Sequence, residues 1–217
     1  MARRTLPATA SVAHPLEADK LYAPAADRNA DALVSLLMDA APGSGTALEL
    51  ASGTGQHIVA FARAMPQLTW QPTEVAQDRL SSISAYASGA ELANLKAPHM
   101  LNATQPGWGE ARSVDLIVLI NLLHLIRTDE ARTVITEATH ALKPKGCFVL
   151  YGPFMRDGAL TSEGDSRFHA SLTASGPMIG YKDVGIVTGW MRAEGLTVKI
   201  HEMPANNLAI SGRVGSS

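Results

Sequence analysis

Leu48-Glu49-Leu50-Ala51-Ser52-Gly53-Thr54-Gly55-Gln56-His57 decides the fold. The apolar run Thr46-Ala47-Leu48-Glu49-Leu50 stops at a turn of small residues. From about Gln56, the apolar residues Ile58, Val59, Phe61, Ala62 and Met65 recur at roughly helical spacing. Strand, tight glycine turn, helix is how an α/β protein presents a helix N-terminus to a ligand. Gly53 and Gly55 are able to take positive φ and to let a ligand touch the backbone. Two details narrow the ligand. Glu49 sits in the strand end, where its carboxylate would repel a phosphate and attract a cation. No Lys-Ser/Thr pair follows the glycines, which argues against a P-loop.

Outward from this stretch, strands and helices alternate. Upstream, the spacing of Leu33, Val34, Leu36, Leu37 and Met38 predicts a helix over 31–40, with Asp27 or Asn29 as its cap. The breakers at 41–45 end it. Downstream, a second strand is predicted over 68–72, with Glu74 just beyond its end and 19 residues after Gly55. A dinucleotide-type fold places a ribose-binding carboxylate at about that offset. A helix over 81–93 and a short strand over 98–103, ending near Asn102, come next. Residues 114–120 are the strongest strand, a near-continuous apolar run suited to a central parallel strand buried on both faces. It ends at Asn121, and Thr128 or Asp129 caps the helix that follows. Lys143-Pro144-Lys145-Gly146 reads as a sharp turn before a fifth strand over 147–154.

Residues 155–180 are rich in Gly, Ser and Thr and read as an excursion over the sheet edge, with one helix around 165–172. A last helix over 182–193 precedes strands over 196–202 and 208–211. Their short connection makes them an antiparallel hairpin. The fold class is therefore α/β: a mostly parallel, doubly wound, seven-stranded sheet closed by an antiparallel C-terminal hairpin. Its ligand belongs across the strand C-termini. Glu49, Glu74, Asn102, Asn121 and Tyr151 are polar residues at five such ends. One domain is predicted over 21–211, with flexible tails at 1–20 and 212–217.

The composition fits this reading. The 217 residues are 46% hydrophobic, enough for one sizeable core. A net charge of −2 gives no basic surface for nucleic acid or a membrane. The single cysteine, Cys147, lies in an apolar run and excludes a disulfide scaffold. No apolar stretch approaches membrane-spanning length and no signal peptide follows Met1-Ala2-Arg3-Arg4, so a cytoplasmic protein is expected.

Glu49 to Gln56 resembles motif I of class I S-adenosylmethionine-dependent methyltransferases, and residues 115–119 resemble their fourth strand. The closer resemblance is to the DUF938 family, also called methyltransferase-like protein 26. It rests on Ala25-Ala26-Asp27-Arg28-Asn29, the stretch from Glu49 to His57, Trp70-Gln71-Pro72, Tyr151-Gly152-Pro153-Phe154 and Met203-Pro204-Ala205-Asn206-Asn207-Leu208. These segments span residues 22–211. The chain departs from the family at Glu74 and Asn102, where aspartate is common. It also departs at Gly164-Asp165-Ser166-Arg167-Phe168-His169 and at Ile179, which replaces a common tryptophan. The last two changes point to a substrate unlike that of a typical member.

The resemblance implies a Rossmann-like methyltransferase fold that uses S-adenosylmethionine and releases S-adenosylhomocysteine. It implies that Glu49 or the Ala51 carbonyl receives the cofactor amino group, beside Gly53 and Gly55. Glu74 would bind the ribose, Asn102 and the Ala103 amide the adenine, Asn121 the methionine portion, and Arg28 the cofactor carboxylate. His124 and Tyr151 are the catalytic candidates, His124 as general base and Tyr151 as orienter. Three histidines, His57, His124 and His169, lie on separate segments without metal-ligand spacing, so no metal is expected. The acceptor would be a small-molecule O, N or S nucleophile, with no nucleic-acid or membrane partner, and the protein a monomer or homodimer. Two other readings stay open: a same-fold enzyme catalysing a non-methyl-transfer reaction on a natural product, and a non-catalytic cofactor-binding regulator.

Overall fold

The structure, a computed structural model, describes residue 7 and residues 10–215. In chain order the elements are β1 (His14–Pro15), β2 (Leu21–Tyr22), α1 (Pro24–Ala40), β3 (Gly45–Leu50), α2 (Gln56–Ala64), β4 (Leu68–Glu74), α3 (Gln77–Ala90) and β5 (His99–Met100). Then follow β6 (Val114–Ile120), a 3-10 turn (Leu123–Leu125), α4 (Thr128–His140), β7 (Leu142–Met155), α5 (Glu163–Thr173), β8 (Lys182–Asp183), α6 (Val184–Ala193), β9 (Leu196–Glu202) and β10 (Asn207–Val214). The main sheet runs β5-β4-β3-β6-β7-β10-β9, with β8 added beside β7. Strands β3 to β7 pair in parallel, and β10 is antiparallel to both β7 and β9.

The central strand β6 explains the two layers. Ile117 and Leu119 join Phe148, Leu150, Val134, Ile135 and Met191 on the α4/α6 face. Leu116, Val118 and Ile120 join Leu33, Leu37, Ile58 and Phe61 on the α1/α2 face. An alternating strand side chain lands in a core either way, so the run from Leu116 to Ile120 is apolar and the one charge, Asp115, sits at the half-buried start. Each fully buried Leu or Ile contributes about 1.5–3 kcal/mol. A third, smaller cluster of Leu172, Ile179 and Tyr181 ties α5 and its loops over the C-terminal edge of the sheet.

Several boundaries differ from the sequence reading, each for a local reason. Helix α1 begins at Pro24, not near residue 31, so Asp27 and Asn29 lie inside it and cap nothing. Proline at the first helical position presets φ and loses no needed N–H. The Ala23 amide is instead taken by Gln56 Oε1 at 2.6 Å. Helix α3 begins four residues earlier than expected because Glu74 Oε1 accepts the Val75 and Ala76 amides at 2.7 and 3.4 Å, which shortens the link from β4. The strand expected over 98–103 is reduced to His99–Met100. Asn102 turns its Oδ1 onto the Thr104 amide and hydroxyl, which ends the extended run.

Lys143 to Gly146 is a kink within β7 rather than a turn before it. Lys145 has φ 64°, the register with β6 shifts between Val114 and Leu116, and Lys143 Nζ pairs with Asp115 Oδ2 at 2.8 Å. The helix after the excursion starts at Val184, because Lys182–Asp183 pairs with Phe154–Met155 and Asp183 caps it through the Gly185 amide at 2.8 Å. Helix α4 starts at Thr128, so Thr128 and Asp129 lie inside it; Arg127 holds the N-cap position, its amide donating to Glu130 Oε2 at 2.8 Å. The expected tails are shorter than 1–20 and 212–217. His14–Pro15 pairs with Leu21–Tyr22, and β10 continues through Val214. Residues 1–6, 8, 9, 216 and 217 of those tails lie outside the described residues. Among the described residues no helix is long and apolar enough to cross a membrane.

Candidate functional site

The turn after β3 is built from left-handed residues. Ala51, Gly53 and Gly55 have φ of 51°, 60° and 95°. The turn is welded to β4. The Ser52 amide donates to Thr73 O at 2.8 Å, the Thr73 amide to Ser52 Oγ at 3.2 Å, and the Thr73 hydroxyl to Glu49 O at 2.8 Å. Glu74 closes the weld, accepting the Gly53 amide on Oε2 at 3.1 Å. Ser82 Oγ on α3 donates to Thr54 O at 2.7 Å and accepts the Leu21 amide at 2.8 Å. The turn is thus held by β4, α3 and the N-terminal hairpin at once. It leaves a short concave run of backbone at the start of α2, the form that approaches ligands closely.

Beneath this turn lies a buried carboxyl with one oxygen unpaired. Glu49 is 1% exposed, and its Oε2 has no hydrogen-bond partner. Burial raises its carboxyl pKa to about 8, opposed by a hydrogen bond from Ser52 and reinforced by the Glu74 charge. An unpaired buried carboxylate is costly, so the group is built to hold either a proton or a cation.

Other predicted site residues take up positions around the strand ends. Asn121 leaves β6 in the left-handed region, φ 55°, with its amide donating to Tyr151 O at 2.9 Å. Ala103 is buried, and its carbonyl accepts the Trp108 indole N–H at 3.0 Å. Asn102 spends its side-chain oxygen on Thr104. Arg28 is exposed on α1, beside Tyr22. Grooves of about 620 Å³, between α3, β5 and Asp19, and about 290 Å³, by Thr46, Thr69 and Arg112, involve neither the glycine turn nor His124.

The two catalytic candidates are not brought together. Tyr151 packs with the α1/α2 core, whereas Gly152, one residue on, faces His124: a Cβ on Gly152 would lie 3.9 Å from His124 Nδ1 and 3.6 Å from Asn121 Oδ1. Successive strand residues face opposite sides. Burial raises the Tyr151 hydroxyl pKa and the neighbouring Asn29 side chain opposes that rise, while Asn29 Oδ1 lies 2.7 Å from His57 Nε2. Burial holds His57 near pKa 4, so it is neutral there, stacked on Phe61. Asn29, His57 and Tyr151 therefore form a buried polar cluster joining α1, α2 and β7, which sequence reading missed. The signal available was a buried-looking polar pair, Asn29 and His57, on the inner faces of two helices. Tyr151→Phe should lower stability to urea by about 1 kcal/mol, since it removes one bond from a buried network. Unchanged unfolding midpoint and slope would refute that bond.

His124 is 5% exposed, and no hydrogen bond among the described residues joins its ring nitrogens. Burial, with the Lys182 charge second, lowers its pKa to about 3. Phe168 and Tyr181 meet it edge-on at centroid distances of 5.7 and 6.1 Å. The nearby charges are satisfied internally. Lys182 Nζ donates to Ile126 O at 2.7 Å and Gly180 O at 2.9 Å. Asp165 accepts from Ser162, Thr161 and Tyr181 hydroxyls at 2.7, 2.8 and 3.0 Å, and despite burial these hold its carboxyl below the ordinary value. Among the described residues no group of three or more His, Cys, Asp or Glu is placed to hold a metal ion.

Known structures share this architecture. An O-methyltransferase family protein from Burkholderia thailandensis aligns over 89% of this chain and 58% of its own, with TM-score 0.78 and 21% identity. Human N-acetylserotonin methyltransferase in complex with SAM aligns over 88% and 53%, with TM-score 0.68 and 12% identity. An O-methyltransferase family 2 protein from Planctomyces limnophilus, complexed with apigenin, aligns over 85% and 61%, with TM-score 0.67 and 17% identity. This chain thus spans little more than half the length of each, and what is shared is the Rossmann-like fold. The family model described as "Protein of unknown function (DUF938)" matches residues 20–212, and the chain belongs to the DUF938 family.

Proposed function

We propose that this chain is an S-adenosylmethionine-dependent methyltransferase, acting in the cytoplasm as a monomer or homodimer on a small-molecule nucleophile. The observation that carries this reading is the Glu49 carboxyl, buried and half unpaired beneath the glycine turn. A ligand ammonium is a group that satisfies it, and nucleotides held by phosphate are not. The fold agrees: the human neighbour is a methyltransferase in complex with SAM, and the Planctomyces neighbour is complexed with a small molecule, apigenin.

When bound, the cofactor supplies a methyl group already activated on a sulfonium, so the chain's task is alignment. Glu49 and the Ala51 carbonyl would receive the amino group. Gly53 and Gly55 would give the close backbone approach. Glu74 keeps further lone pairs for ribose hydroxyls beside its bonds to Gly53 and Val75. Asn102 and the Ala103 amide would meet the adenine, Asn121 the methionine portion, and Arg28 the carboxylate. His124, neutral with free ring nitrogens, would accept a hydrogen bond from the attacking hydroxyl and orient it. With its pKa near 3, it is a weak proton acceptor at neutral pH, so its role is closer to orientation than to general-base catalysis. Tyr151 would act as a positioning residue, fixing Asn29 and α1.

Calorimetry with S-adenosylmethionine and S-adenosylhomocysteine comes first, and binding by neither overturns the reading. Mass spectrometry for a gained methyl group over a panel of phenols, amines and thiols then separates methyl transfer from another reaction or from a regulator. His124→Phe should cut turnover roughly 100-fold with cofactor affinity unchanged. Because His124 is neutral above about pH 3, the wild-type rate should show no inflection at the ordinary histidine pKa. A wild-type inflection near that value that disappears in His124→Phe would overturn the orienting role.

A further inference from the structure

The segment before the N-terminal hairpin lies across the site. Arg79, on the first turns of α3, donates from Nη2 to Ser11 Oγ at 2.7 Å and to Ser11 O at 3.3 Å. The same guanidinium sits against the glycine turn, since a Cβ on Gly53 would lie 3.3 Å from Arg79 Nη1. The adjacent residue, Ala10, packs on the cluster of Leu172, Ile179 and Tyr181. The Tyr181 ring contacts His124. Two consecutive residues therefore bridge from the glycine turn to the side of the site that holds His124. The direction is fixed at the other end too. The hairpin is anchored on α3 by the Leu21 amide to Ser82 and by Lys20 Nζ 5.5 Å from the Tyr86 ring centroid.

We infer that Ala10-Ser11 is a gate latched by Arg79, which must lift for a ligand to enter or leave the strand C-termini. The anchors differ in strength, and that decides what moves. The latch is a pair of hydrogen bonds on an exposed surface, and Val12 beside it is 40% exposed. The hairpin and α1 are held by partly buried bonds to Ser82 and Gln56. Weakly anchored segments open first, well below global unfolding. A gate across a site slows entry and exit together and leaves affinity nearly unchanged. Arg79 on this account is a latch and touches no reacting atom.

The inference rests on the proposed cofactor reading only for its ligand, so two measurements are needed. Hydrogen exchange in the ligand-free full chain should show residues 10–13 exchanging at least 5-fold faster in Arg79→Ala, with α2 and β6 unchanged. Equal exchange overturns the latch, whatever the ligand. Stopped-flow binding of S-adenosylhomocysteine should show both association and dissociation about 5- to 10-fold faster in Arg79→Ala and in a chain beginning at Ala13, with the dissociation constant changed less than 3-fold. Unchanged rates, or weaker binding through faster dissociation alone, overturn the gate. If wild type and both variants all fail to bind, the cofactor assignment falls and the exchange result still decides the latch.

Discussion

Gly55→Ala is expected to destabilise the protein by about 2–5 kcal/mol. Two costs add at this position. Gly55 has φ 95°, where an L side chain is strained by about 1–2 kcal/mol. Its Cβ would lie 2.9 Å from the backbone Cα of Ile83, on α3. A backbone atom does not swing aside as a side chain does, so α3 must shift, and overpacking of this kind costs about 1–3 kcal/mol. Gly53 offers the contrast. It also has positive φ, yet its Cβ would meet only the flexible end of Arg79, at 3.3 Å. Gly53→Ala should therefore cost about 1–2 kcal/mol from strain alone. Urea denaturation of the two variants checks the difference, and equal losses would mean that the α2–α3 approach is not the constraint. Because Ser82 on α3 bonds Thr54 O in the turn, Gly55→Ala should also weaken S-adenosylhomocysteine binding more than Gly53→Ala does.

Glu49→Gln should stabilise the ligand-free protein while weakening cofactor binding. The Glu49 carboxyl is raised to about 8 by burial, against an ordinary value of 4.5. The folded state therefore binds a proton that the unfolded chain has released between those pH values. Stability contributed by this group falls as pH rises from about 4.5 to about 8, and its full cost is present above that window. Removing the charge should recover on the order of 3 kcal/mol at pH 8 and almost nothing at pH 4. The glutamine amide will itself be incompletely bonded, which trims the gain. Cofactor affinity should fall by about 1.5–3 kcal/mol, the worth of a hydrogen bond to a charged group. Denaturation across pH 4–9 and calorimetry measure the two effects. A variant equally stable at pH 8 but unchanged in affinity would show that Glu49 neither carries buried charge nor meets the ligand.

These two residues also show what was legible in the chain. Gly55 and Glu49 were readable because their reasons are local: an apolar run interrupted by glycines sets strand, turn and helix, and Glu49 falls at the end of that strand. Val114 to Ile120 was readable to the residue because a strand buried on both faces is apolar from Leu116 onward, its one charge, Asp115, sitting at the half-buried start. The boundaries near Pro24 and Lys143 were not, since each is set by a bond from a distant residue, Gln56 to Ala23 and Asp115 to Lys143, and the start of α3 was missed because Glu74 folds its side chain back onto the amides of the two residues that follow it. Where His124 and Tyr151 point was likewise not legible: His124 follows β6, Tyr151 lies within β7, and the pleat of β7 turns Tyr151 to the α1/α2 core and Gly152 toward His124.

The sequence by itself determined the α/β class, the glycine turn and the acidic, polar strand ends, because period, turn chemistry and charge act within a few residues. Only the tertiary structure decided which of them meet. It brought Asn29 to His57 and Tyr151, set Arg79 between the glycine turn and Ser11, and left Glu49 buried with one oxygen unpaired. Those juxtapositions depend on how helices from separate parts of the chain pack on one sheet, and burial, which sets the Glu49 and His124 pKa values, exists only once they have packed.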